Sequence, residues 1–170
     1  PFIRRLGQLE FDWYKGRGRG AVSVPETWRA AGRDSMEQAM ALNRLAALLA
    51  RQKEYSRAVE PAKQAVELMP GSAILRRVLI ALTNGNREIV EQAQKACSDD
   101  PEIWLASLVV RMKKDEKEKW FIKQWLPAAT EKKFSAATMV RAGDFLLRNK
   151  MTGPASIAAR DAISRCRGLR

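Results

Sequence analysis

Histidine is missing altogether from this 170-residue chain, and cysteine and tyrosine occur only twice each. Without histidine there is no histidine-based catalytic triad, no imidazole proton shuttle and no zinc site built on imidazole. The two cysteines, Cys97 and Cys166, lie far apart and in no metal-ligand spacing, so each reads as a buried free thiol on a helix. No phosphate-cradling glycine motif occurs, and no cofactor is expected. No apolar window reaches the roughly 18 residues that a membrane-spanning helix needs, so no membrane span is expected. Stretches that read as central strands are also absent. The chain opens on Pro1, without an initiator Met or a hydrophobic signal region, as a segment cut from a longer protein would.

What is present is a helix-forming composition. Ala, Leu, Glu, Lys, Gln and Arg dominate, and 46% of the residues are apolar, enough for a packed core. The expectation is an all-α fold. The net charge of +12 points to acidic partners: nucleic acid, an anionic membrane surface or an acidic protein. The charge is spread rather than clustered. Residues 1–34 carry seven basic and four acidic side chains, and residues 136–170 carry seven and two. Interspersed charge of this kind is that of a solvated surface.

The segment 1–34 is irregular. A helix is expected from Phe2 to Tyr14, with Ile3, Leu6 and Trp13 towards the core. The run Lys15-Gly-Arg-Gly-Arg-Gly20 breaks it, because glycine loses most entropy in a helix. Ala21 to Val24 reads as extended chain or loop. Pro25 suits the first turn of a short helix through Arg33, with Trp28 and Ala31 as its apolar contacts. Ser35, with Gln38 three residues on, reads as a capping box opening a helix to Gln52. Further helices are expected over Ser56–Met69, Ala73–Thr83 and Arg87–Cys97, the last with Ala93 and Ala96 on one face. A fifth carries Leu105, Leu108, Val109 and Met112, and a sixth carries Phe121, Trp125 and Ala128. The turn between these two spans Lys113 to Lys119. Pro127 should kink the sixth or end it early. The last pair covers Ala136–Asn149 and Gly153–Arg167.

A lattice of small and branched residues runs through these helices. Leu42, Leu45, Ala46, Leu49, Ala58, Ala62 and Ala65 return as Leu105, Leu108, Val109, Met112, Phe121, Trp125 and Ala128. They return again as Met139, Ala142, Gly143, Leu146, Ala155, Ala159 and Ala162. Small residues at these offsets let two antiparallel helices approach closely, and a period near 34 residues is the mark of a helix–turn–helix array. The pattern resembles the tetratricopeptide repeat family over residues 36–169, in four units. The first unit carries Leu45-Ala46, Tyr55 before its second helix, and a terminal Pro70. The second unit is short, the third is crowded by Phe121 and Trp125, and the last has no terminal proline. The resemblance implies an α-α superhelix over residues 35–170, with residues 1–34 as an irregular N-terminal cap.

The family's fold implies a concave surface lined by the first helix of each pair. The residues placed there are Asn43, Arg44, Arg76, Arg77, Arg141 and Asp144, with Ser107 breaking the row of arginines in the third unit. Arginine suits a carboxylate because its planar fork binds it through two parallel hydrogen bonds. The same arginines also suit a solvated surface, paired with neighbours such as Asp144. Trp120 stands off the face shared by Phe121 and Trp125, and is either an exposed binding anchor or a contact between units. Asp99, Asp100 and Glu102 either bind a cation or cap the next helix. The Gly-Arg run beside Phe11, Trp13 and Tyr14 either contacts RNA or is a plain connector. The expectation is a non-enzymatic scaffold that docks another protein or peptide, acidic in character. Nucleic-acid binding, an accessory role in a larger enzyme or secretion assembly, and self-association through the ends of the array stay open beside it. The exposed apolar face near Ile157 and Ile163 is the place for such end contacts.

Overall fold

In the computed structural model, which describes residues 1–16, 20–111, 123, 125–131, 134–148 and 150–167, every regular element is helical. The described residues form two compact units, Pro1–Ile89 and Val90–Arg170. The boundary read from the sequence at residue 34 lies inside the first unit.

The first unit is built around one long helix. Helix α1 (Phe2–Gly16), a 3-10 turn (Gly20–Ser23) and α2 (Pro25–Arg29) pack onto α3 (Ser35–Arg51). Phe2, Trp13 and Trp28 join Ala41, Leu45, Leu48 and Leu49 in one buried cluster. The two indoles meet edge to face, with centroids 6.4 Å apart. Trp28 Nε1 donates to the Val22 carbonyl at 2.6 Å, which explains why Gly20–Ser23 winds into a turn rather than running extended. Ile3, expected in the core, is 69% exposed, and Phe2 takes its place. Helix α2 is shorter than expected because the chain must turn at Gly32 to reach α3. The cap of α3 is Asp34, not Ser35: its Oδ1 accepts from Glu37 N at 2.8 Å. Glu37 Oε2 in turn accepts from Arg33 N at 2.8 Å.

Helix α3 and α4 (Tyr55–Leu68) form a tight antiparallel pair. Ala58 sits with Leu45 and Leu49, Ala62 with Ala46, and Ala65 with Leu42 and Ala39. Alanines along α4 therefore set the close approach, as the small-residue lattice requires. Helix α5 (Ala73–Leu82) lies across this pair, with Leu75 and Leu79 seated on it. It starts at a Ser72 cap and ends at a turn where Asn84 and Gly85 take positive φ.

Helix α6 (Arg87–Ala96) crosses the boundary between the units; its Ala93 is buried but Ala96 is exposed. Cys97 lies one residue beyond it, half-buried, and Cys166 is exposed, so neither is the buried helical thiol expected. In the second unit, Asp100 Oδ1 accepts from Glu102 N and Ile103 N and caps α7 (Pro101–Arg111). Pro127 is the second residue of α8 (Leu126–Glu131). Lys123 and Trp125 ahead of it wind as π-helix, so Pro127 does not stand in a free first turn; the wider winding is a local irregularity of the kind a proline brings inside a helix. The roles expected for Leu108, Val109, Met112, Phe121 and Ala128, for the turn Lys113–Lys119 and for residues 17–19 of the Gly-Arg run lie outside the described residues.

Helix α9 (Ala136–Arg148) and α10 (Thr152–Arg167) form a second tight pair. Met139, Ala142, Leu146, Ala155, Ala158 and Ala162 bury a core shared with Leu105, Trp125 and Ala129. Arg165 ties α10 to the segment before α9: its Nη1 donates to the Phe134 carbonyl at 2.7 Å while Nε holds Asp161 at 2.6 Å.

Candidate functional site

The surface of the α9/α10 pair carries an apolar groove of about 520 Å³. Its floor is made of small residues, Gly143, Ala155, Ala159 and Ala162. Its walls are Val140, Leu147 and Ile163, which are 59%, 56% and 54% exposed. Large aliphatic side chains held open to water beside a floor of alanines are costly, at roughly 25 cal/mol per Å² of apolar surface. Side chains of this kind mark an interaction surface when they are contiguous. Polar atoms enter only at the margins. Asp144 borders the groove and accepts from Arg148 at 2.5 Å, and Cys166 and Arg167 lie at the end nearest Ile163.

Gly143 lies on the floor of the groove, against α10. A Cβ there would stand 3.6 Å from the Ala155 carbonyl oxygen and 3.8 Å from Ala158 Cβ, ordinary contact distances. The two helix backbones are therefore as close as an alanine pair allows. The large residues at the edges stand proud of the floor as a result.

The arginines picked out by the sequence are distributed differently. Arg44 on α3 is half-buried and held by Glu10 of α1 through both guanidinium arms: Nη2 donates to Oε2 at 3.0 Å, and Nε donates to Oε1. The Glu10 hydrogen bond raises the Arg44 pKa above the ordinary arginine value, against the opposing effect of burial. Asn43, beside it, is half-buried. Arg76 on α5 donates from Nε to the Pro70 carbonyl at 2.7 Å, closing the turn before its own helix. Arg77 is half-buried and has an interaction partner of its own. Arg141 on α9 is exposed and pairs loosely with Glu102 at 3.5 Å. Ser107, where the row breaks, is buried, and its Oγ donates to the Trp104 carbonyl. Trp120 lies outside the described residues. Asn43, Arg44, Arg76 and Arg77 thus sit on α3 and α5 of the first unit, and Arg141 and Asp144 on α9 of the second.

Of the six picked-out residues that are described, only Asp144 borders the groove. Sequence reasoning passed over Val140 and Leu147 because it weighted charge, and it placed Ala159 in the packing lattice, where the structure buries Ala158 and leaves Ala159 exposed. The available signal was the small residue at each second-helix lattice position, which left the flanking branched residues nothing to pack on.

Among the described residues, no three Cys, Asp or Glu side chains gather as they would around a metal ion. Among the same residues, no helix is long and apolar enough to cross a membrane. No protein-family model matches this chain, and no curated protein matches its sequence.

Proposed function

We propose that this chain is a non-catalytic docking scaffold of tetratricopeptide type, a solenoid of antiparallel helix pairs that binds another protein. The observation that carries the reading is the open apolar groove on α9/α10, walled by Val140, Leu147 and Ile163. A nucleic acid has little use for an aliphatic trough, since phosphate contacts dominate its binding. A protein helix or peptide does, since burial of aliphatic anchors drives association. The absence of histidine supports a role without acid–base chemistry. The solenoid reading is supported by the close packing within each pair and by the turns inside them. Lys53 and Lys150 both take the left-handed conformation, at φ 64° and 60°.

The basic net charge favours nucleic acid as the rival. The described arginines answer that charge only in part, because Arg44, Arg57, Arg141, Arg148 and Arg165 each face a carboxylate. The test is a photo-crosslinking residue at Leu147, with a control at the exposed Met36 of α3, activated in an extract of the source cells. Docking of a protein gives a nuclease-resistant, protease-sensitive adduct at position 147 and none at 36. Nuclease-sensitive adducts at both positions would turn the reading to nucleic acid.

A further inference from the structure

The two helix pairs superpose in sequence with a shift of 97 positions, which sets Leu42 over Met139. The same shift sets Lys53 over Lys150, both at positive φ. It also aligns the turn hydrogen bonds. Lys53 N donates to the Ala50 carbonyl and Lys150 N to that of Leu147, and Glu54 N donates to Leu49 as Met151 N does to Leu146. The pairs are therefore equivalent down to their connecting turns.

Under that shift the groove floor Gly143, Ala159 and Ala162 overlies Ala46, Ala62 and Ala65, and the wall residue Ile163 overlies Val66. In the first pair this seat is filled. Leu79 of α5 packs on Ala46 and Ala62, and Leu75 packs beside Ala65, with Val66 against both. Ala62 is 1% exposed in consequence, whereas its counterpart Ala159 is exposed. The groove is the same seat with no helix of this kind in it among the described residues.

We infer that the α9/α10 groove receives an amphipathic helix that presents two large aliphatic residues four positions apart, as Leu75 and Leu79 do, on a segment whose polar face is acidic. The spacing comes from the filled seat. The acidity comes from charge. Helix α4 is balanced, with Arg57 and Lys63 against Glu60 and Glu67, and its occupant carries Arg76 and Arg77. Helix α10 carries Arg160, Arg165 and Arg167 against Asp161 alone, and Arg165 already holds that aspartate. On α9, Arg141 faces Glu102 and Arg148 faces Asp144, so the positive excess comes from Arg160 and Arg167 of α10, the latter lining the groove. A basic occupant would meet like charge there, and a second copy of a chain of net charge +12 would do the same.

This inference rests on the protein-docking reading above and is tested apart from it. The probe is a synthetic peptide of residues Ser72–Thr83, stapled across the exposed positions 74 and 81 to hold it helical. One form keeps Arg76 and Arg77, and the other carries Arg76→Glu and Arg77→Glu. Fluorescence anisotropy against the whole chain is expected to give a Kd of about 10–100 μM for the acidic form, with the basic form weaker by about tenfold or more. Ala159→Trp fills the exposed floor without touching the core and is expected to weaken the acidic peptide about tenfold at unchanged circular dichroism. Leu147→Asp, on the opposite wall, is expected to do the same. The inference is overturned if neither peptide binds at about 1 mM, or if the basic form binds as well as the acidic one. It is equally overturned if sedimentation shows a dimer that Ala159→Trp dissociates, because the occupant is then a second copy. A chain that crosslinks a protein at position 147 yet ignores both peptides overturns this inference and leaves the docking reading standing.

Discussion

Glu10 of α1 and Arg44 of α3 hold each other through two parallel hydrogen bonds, 34 residues apart in sequence. The pair fastens the N-terminal helix to the first long helix beside the apolar contacts of Phe2 and Trp13. The arginine that heads the expected row therefore has an internal carboxylate, and an acidic ligand at Arg44 would have to displace it. A double-mutant cycle with Glu10→Gln and Arg44→Met should give a coupling of about 1 kcal/mol. That is modest because both groups are partly exposed, and it should shrink in high salt. Arg44→Lys should lose most of it, since an ammonium cannot bind in two-armed fashion. Because the folded pKa of Arg44 is raised, its contribution is fully present below the ordinary arginine range and is lost only as pH rises through the raised value. Urea titrations at about pH 7 and pH 10 should therefore give the same coupling; a coupling absent at both would break this account of how α1 is attached.

Gly32 stands against the start of α3 so closely that a Cβ on it would lie 2.3 Å from the backbone nitrogen of Gln38 and 2.6 Å from the carbonyl carbon of Glu37. Those are backbone atoms of a capped helix end and cannot move aside cheaply, because Asp34 and Glu37 fix that turn by hydrogen bonds from both sides. Gly32→Ala should cost about 2 kcal/mol or more, in line with overpacking elsewhere. Chemical denaturation reads this directly. A variant as stable as the parent would mean that the joint between α2 and α3 relaxes freely.

Much of the helix layout follows from local signals. Pro25 starts α2, Pro101 starts α7, and Asn84-Gly85 closes α5, each by a backbone constraint that acts within a few residues. The alanines of α4 and α10 likewise announce close helix approach. The exceptions come where tertiary contacts decide. Ile3 and Phe2 are equally apolar neighbours, and the packing of α1 on the cluster of Trp28, Leu45 and Leu49 buries Phe2 rather than Ile3. Pro61 sits buried inside α4, where local rules forbid it, and packing against α3 carries the helix through. The groove was hidden for a related reason. Ile163 stands on the apolar face expected to be exposed, but nothing in Val140 and Leu147 themselves says that the seat beside them is open while that of Val66 is filled.

Gly143 presents the opposite case to Gly32. It lies within α9, where glycine is about 1 kcal/mol worse than alanine, and an added Cβ would meet Ala155 and Ala158 at ordinary contact distance. Gly143→Ala should therefore raise stability by about 0.5–1 kcal/mol, read as a shift of the urea midpoint at unchanged slope. Gly143 also lines the groove floor, so a larger residue there should make the acidic stapled peptide bind more weakly than to the parent. The two readouts separate fold from docking. A stabilised variant with weakened peptide binding assigns the glycine to the groove, because folding alone would favour alanine. A destabilised variant would instead make Gly143 a packing requirement of the α9/α10 pair and would remove this support for the groove as the working surface.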